Sequence, residues 1–138
     1  MPMNIHVDIV SAERQIYSGL AEMVFVPAEQ GEVGIAPRHA PFISRMRPGE
    51  VRVKLNEQET LPFFISGGIL EVQPHVVSVL ADTAIRARDI DEAAALEAKR
   101  KAEEALADKS GKIDYARAQA ELALAMQQLR TLEKYRKS

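Results

Sequence analysis

Ser66-Gly67-Gly68, after an apolar run, and three histidines, His6, His39 and His75, are the residues through which this chain could do nucleophilic or metal chemistry. A serine hydrolase would need Ser66 and His39 assembled with an aspartate, yet the Gly-x-Ser-x-Gly elbow is absent. The glycine pair then reads as a tight turn or a close backbone approach. His6 and Asp8 share one face of a strand, but His39 and His75 are distant in sequence and no His-x-x-x-His pair exists, so no metal site is expected. There is no cysteine, hence no disulfide, no thiolate nucleophile and no Cys-ligated zinc. Gly31-Glu32-Val33-Gly34 lacks the Lys-Ser/Thr that completes a phosphate-binding loop, and no Gly-x-Gly-x-x-Gly is present. A non-catalytic protein is expected.

The elements that would carry these residues change character near residue 85. All seven prolines lie at or before Pro74 and six of the seven glycines at or before Gly68, while fourteen alanines fall in residues 84 to 138 against six before them. Gly and Pro punctuate strands and turns, whereas Ala is the best helix former. The expectation is an α+β chain: a small β-sandwich of about ten short strands over residues 1–85, then an antiparallel two-helix hairpin over residues 86–138. At 138 residues with 46% hydrophobic and 28% charged residues, the chain suits soluble globular folding. Its net charge of -2 argues against nucleic-acid binding, which needs a basic face. The longest apolar run, Phe63 to Leu70, is far short of the about 20 residues of a membrane span. No secretory signal is visible at the N-terminus, so a cytoplasmic address is expected.

In the first part Ile5, Val7 and Ile9 alternate with His6 and Asp8, and Val51, Val53 and Leu55 with Glu50, Arg52 and Lys54. Asn56 to Glu59 turns the second of these into Leu61 to Ser66. Further strands are expected at 22–26, 42–46, 69–73 and 76–80. Along Glu22 to Val26 both faces are apolar, so Met23 and Phe25 are candidates to face outward against a partner. Residues 31–41, with two Gly, two Pro and His39, read as a rigid, irregular surface loop of the kind that carries function.

In the second part Asp89 with Glu92 reads as a capping box for a helix ending near Asp108, and Asp114 as the N-cap of the next. Tyr115, Ala118, Leu122, Ala125, Leu129 and Leu132 form a seam at spacings of three and four, facing Ala94, Ala98, Ala102 and Ala105. Each helix should be roughly 30 Å long. Alanine methyls bury little, at about 0.8 kcal/mol per carbon, so the hairpin is held weakly and is suited to move as a unit. From Lys109 onward there are seven basic and three acidic residues, which offers either a solvated helix face or a surface for an acidic partner.

Several long stretches, in order, resemble the ε subunit of bacterial F-type ATP synthases. They are Ser18-Gly19, Gly31-Glu32-Val33-Gly34-Ile35, Pro37 through His39-Ala40-Pro41, Ser66 to Pro74, Val79 to Ala84, and Glu97 to Glu104. The resemblance implies a non-catalytic rotor subunit on the cytoplasmic face of the bacterial inner membrane, attached only through the complex. Its sandwich would bind the γ subunit and the ring of c subunits and help couple proton flow to rotation. Gly31, Glu32, Val33, Gly34 and His39 match the c-ring contact loop. Ser11 and His39 match positions at or near the rotor contacts, with Met23 and Phe25 as further candidates for γ. Extended, the hairpin would reach the α and β subunits of the catalytic head and inhibit ATP hydrolysis, with Arg130, Lys134, Arg136 and Lys137 meeting an acidic segment of β.

Members that bind regulatory ATP carry Ile/Leu-Asp-x-x-Arg-Ala where this chain has Ile90-Asp91-Glu92-Ala93-Ala94-Ala95. Ala94 takes the arginine's place, and although Arg117 matches a further arginine, Leu124 and Gln128 stand at the others. The resemblance therefore implies no cofactor and weak or absent ATP binding. The rival readings are a nucleotide-sensing module, opposed by Ala94, and a small hydrolase on Ser66 and His39.

Overall fold

The computed structural model describes residues 3–137. They form two units that divide between Arg86 and Ala87. The first contains ten strands: β1 (Ile5–Val10), β2 (Gln15–Ala21), β3 (Met23–Ala28), β4 (Gly31–Ile35), β5 (Phe42–Met46), β6 (Gly49–Lys54), β7 (Thr60–Ile65), β8 (Gly68–Val72), β9 (Val76–Ala81) and β10 (Ala84–Arg86). They hydrogen-bond in the order β10-β7-β6-β3-β5-β8-β9-β1-β2, with β4 on β3. At the junction β3 meets β5 through one pair, Ala28 and Met46, so the sheet folds over there into two halves. The inward residues of both halves share one core: Ile5, Val7 and Ile9 of β1, Val24 and Val26 of β3, Val51 and Val53 of β6, and Leu70 and Val72 of β8. Tyr17 of β2 and Phe63 of β7 bring their rings to 5.6 Å, tying the two ends of the strand order together.

Alternation in β1 and β6 and the Asn56 turn are found as the sequence implies; Asn56 Oδ1 accepts from Gln58 N and Glu59 N at 2.8 and 2.9 Å. Residues 31–41 differ. Gly31–Ile35 is not a loop but β4, antiparallel to β3 with Gly34 opposite Phe25; only the stretch after it is irregular. Two glycines in five residues hide a strand from propensity, and Gly34 lies beneath the Met23 side chain. A Cβ on it would lie 2.7 Å from Met23 Cε. At Gly68, φ is +139° and a Cβ would sit 2.1 Å from the Leu80 carbonyl oxygen, so the close approach anticipated for this glycine pair is what the fold uses.

The second unit begins with a 3₁₀ turn, Ala87–Asp89, followed by α1 (Glu92–Ala107) and α2 (Tyr115–Lys137). Asp89 belongs to the 3₁₀ turn and does not cap α1. The cap is Asp91, whose Oδ1 accepts from Ala94 N at 3.1 Å. The two aspartates lie two residues apart, and the tightly wound turn uses up the first. Asp114 caps α2 as expected, accepting from Arg117 N at 3.1 Å. The helices are unequal, 16 and 23 residues, or roughly 24 and 35 Å. On α2 the seam runs through buried Ala118, Ala125 and Leu132, with Leu122 and Leu129 half-buried and Tyr115 exposed. On α1 it is shifted: Ala95 and Ala102 are buried and Lys99 half-buried, while Ala94 and Ala98 are exposed. Alanine at 93, 94, 95 and 98 leaves the helix phase undetermined by composition.

The cap assignment has a direct test. Asp91→Ala should lower the stability of the helical signal by about 1 kcal/mol, while Asp89→Ala should leave it within about 0.5 kcal/mol, as read by circular dichroism during urea unfolding.

Candidate functional site

The residues with chemical potential are tied into local structure. Ser66 Oγ accepts from Thr83 N at 2.9 Å, and His39 Nδ1 lies 2.8 Å from the Ala40 carbonyl oxygen, its ring 5.4 Å from that of Phe42. His6 Nε2 lies 3.0 Å from both Asp8 Oδ1 and Ser18 Oγ, and the Ser18 hydroxyl donates to Asp8 Oδ1 at 2.7 Å. A hydroxyl that gives its proton to the carboxylate is not set against the imidazole as a nucleophile. Ser18 and, more weakly, His6 hold the Asp8 carboxyl below its ordinary value, with burial opposing them. Among the described residues no group of three His, Asp or Glu is placed to hold a metal ion.

What the fold does build is surface. On the half made by β4, β3, β6 and β7, alternation sends Val24 and Val26 inward and leaves Met23 and Phe25 half-buried on the outside. The β3–β4 hairpin carries Gly31, Glu32, Val33 and Gly34. Arg52 of β6 is opposite Phe25; its guanidinium lies 4.4 Å from that ring and its Nη2 donates to Glu32 Oε1 at 2.7 Å. Arg52 was not anticipated, because its partners are twenty residues and more away in sequence and meet only through strand pairing.

The other half presents a different face. Outward residues of neighbouring strands align as Val10, Leu80, Ile69 and Arg45, beside Asp8, Ser78, Glu71 and Ile43. Ile43 is 70% exposed, and Leu80, Ile69 and Leu20 of the adjoining edge strand are exposed too. Ser11 follows Val10 at one end of this face, and His39, just before β5, lies near the opposite end, where Arg38 N donates to the Pro74 carbonyl at 2.8 Å. Ser11 and His39 therefore bracket one face, whereas Met23, Phe25 and Glu32 belong to the other half. The sequence held a signal for this face. Phe42-Ile43, Ile69-Leu70 and Val79-Leu80 are adjacent apolar pairs within strands, and one member of each must point outward.

In the helical unit Asp91 is spent as the cap, Ile90 and Ala95 are buried, and the Arg117 side chain pairs with Glu121 at 3.1 Å. An open groove of about 510 Å³ runs between the helices over Ala94, Ala98, Leu124 and Gln128, with Glu97, Lys101 and Glu121 on its rim. That rim carries two carboxylates and one ammonium. At the end of α2, Lys137 pairs with Glu133 at 2.9 Å and Arg136 with Glu92 of α1; Arg130 and Lys134 are exposed. No helix among the described residues is long and apolar enough to cross a membrane.

Residues 4–87 match the family model for the β-sandwich domain of the ATP synthase delta/epsilon chain, and residues 88–133 that for its long α-helix domain. The ATP synthase epsilon chain 1 of Methylococcus capsulatus is 66% identical over 137 residues, 99% of this chain and 98% of the relative. The epsilon chain of Nitrosococcus oceani is 65% identical over the same shares of both chains. A chain in a solved structure of the Euglena gracilis mitochondrial ATP synthase OSCP/F1/c-ring assembly shares the fold. Its TM-score is 0.82 at 18% identity, over 96% of this chain and 83% of that one. The chain belongs to the ATP synthase delta/epsilon family, among the epsilon chains, and is a non-catalytic subunit.

The Asp8 network makes a pH-dependent contribution of known sign. With its pKa depressed in the folded state, Asp8 adds stability that is fully present above the unfolded carboxylate value of about 3.9 and is lost as pH falls through the lower folded value. Ser18→Ala should raise the Asp8 pKa toward that ordinary value, as followed by NMR titration of its side-chain carboxyl carbon.

Proposed function

We propose that this chain works as a rotor subunit of the central stalk, clamped by its sandwich to the γ subunit and the c-subunit ring, and that its hairpin restrains ATP hydrolysis. The observation that carries the reading is the two-sided surface of the sandwich. One half offers an exposed apolar face suited to a protein neighbour, and the other a polar hairpin tip. A monomer that stayed alone in water would have little use for exposed Ile69 and Leu80 opposite each other on neighbouring strands, with exposed Ile43 diagonal to Ile69. On this reading the two neighbours divide between the two halves. The γ subunit takes the apolar face between Ser11 and His39, with Met23 and Phe25 as a secondary contact. The ring of c subunits takes the β3–β4 tip with Glu32. Held to both, the sandwich transmits torque between proton flow in the membrane sector and the shaft. In a bacterium this places the chain peripherally on the cytoplasmic face of the inner membrane, attached through the complex.

The hairpin supports the regulatory half of the reading. Its seam is mostly alanine and its ion pairs lie at the surface, so rearranging it costs little. Swung up against the α and β subunits of the head, Arg130, Lys134, Arg136 and Lys137 would exchange internal partners such as Glu92 and Glu133 for an acidic segment of β. Regulation by ATP bound to the hairpin is not part of this proposal, because Ala94, Leu124 and Gln128 supply no cation of their own. Rotor position would set the hairpin instead.

Two measurements test the proposal. Ile43→Glu should weaken binding to isolated γ by at least about tenfold, and Phe25→Glu by less; equal affinity for all three proteins would remove γ from the apolar face. Adding the full chain to complex stripped of it should lower ATP hydrolysis, and a chain ending at Ile90 should bind without doing so. If both forms inhibit equally, the hairpin has no such role.

A further inference from the structure

The β3–β4 tip lies at an edge of the sheet. β4 pairs with β3 along one edge only, and two of its five residues are glycine. Side chains on the outer surface make up the difference. Arg52, Phe25 and Gly34 fall opposite one another across β6, β3 and β4. Because Gly34 has no side chain, Met23 and Phe25 settle over it. Arg52 then lies on the Phe25 ring and reaches past β3 to Glu32, while its Nε faces the largely buried Glu50 at 3.5 Å. The guanidinium is held by three groups at once, so its fork points at Glu32 with little freedom left.

We propose that Arg52 is the positioning residue of the docking tip: it arches over β3 to hold Glu32, so that Glu32 meets its partner as half of an ion pair and selects an uncharged hydrogen-bond donor. More than half of the Glu32 side chain is exposed, so the carboxylate retains lone pairs to offer outward. A cation brought to it would face the Arg52 guanidinium directly behind the carboxylate. An amide, hydroxyl or backbone N–H meets no such opposition. This rests on the reading that the tip docks on the c ring, and it adds the chemistry of the contact.

The test uses the full chain and ATP synthase stripped of it, with the c ring in place. Amide hydrogen exchange in the free protein reads positioning, and titration onto the stripped complex reads docking. Arg52→Met should speed exchange at Gly31–Ile35 while leaving the rest of the sandwich unchanged, and should weaken docking about tenfold by leaving Glu32 an unpaired charge. Glu32→Gln alone should weaken docking by less than Arg52→Met does, because the amide oxygen still accepts from an uncharged donor. The double variant should recover most of the loss, which a merely structural arginine would not allow; Arg52→Lys should recover part of it. Unchanged exchange in Arg52→Met would overturn the positioning role. Tighter docking by Arg52→Met together with weaker docking by Glu32→Gln would overturn the uncharged donor in favour of a cation. Docking indifferent to Glu32→Lys would instead overturn the c-ring reading beneath both.

Discussion

Ten short strands folded into one sheet have a single interior, and each strand can give it only every second side chain. Ile5, Val7, Ile9, Val24, Val26, Val51 and Val53 meet that requirement and fill one core. A unit of this size buries only a modest core. The outward half of each strand is thereby released from folding and is available for recognition. On one half it is apolar, through Ile43, Ile69 and Leu80; on the other it is the arch of Arg52 over Phe25 to Glu32.

The helical unit follows a different economy of contacts. Its seam is built from Ala95, Ala102, Ala118 and Ala125, with Leu132 as the large buried apolar side chain of α2. Small residues let the helices approach, and each contributes less than half of what a leucine would. Exposed ion pairs such as Arg100 with Glu97 and Glu104 are screened by solvent and add little. Such an element is stable enough to form and cheap enough to rearrange, a combination a movable regulator requires and a load-carrying sandwich does not.

Charge is used sparingly and locally. The net charge of -2 hides a basic last third of the chain, whose cations are partly engaged with Glu92, Glu121 and Glu133. The same economy appears at Arg52, where one guanidinium serves the carboxylates of both Glu32 and Glu50. Interfaces of this kind gain orientation and specificity from charge more than raw affinity.

The alternation in β1 and β6, the Asn56 turn, the change to helices after residue 85 and the Asp114 cap could all be read from the chain, because each depends on neighbours within a few residues. Family membership could be read too, since its motifs are contiguous. Strand β4, the phase of α1 and the choice of Asp91 over Asp89 were not legible. Gly34 is explained only by Met23 and Phe25 across the hairpin, Ala95 and Ala102 only by the facing helix, and Asp91 only by the 3₁₀ turn that precedes it. The Arg52–Phe25–Glu32 arch and the alignment of Ile69 with Leu80 likewise belong to strand pairing. Local periodicity determined which side chains are apolar and which elements carry them; only strand register and helix packing, which act between residues far apart along the chain, decided which of them stand together on the surface.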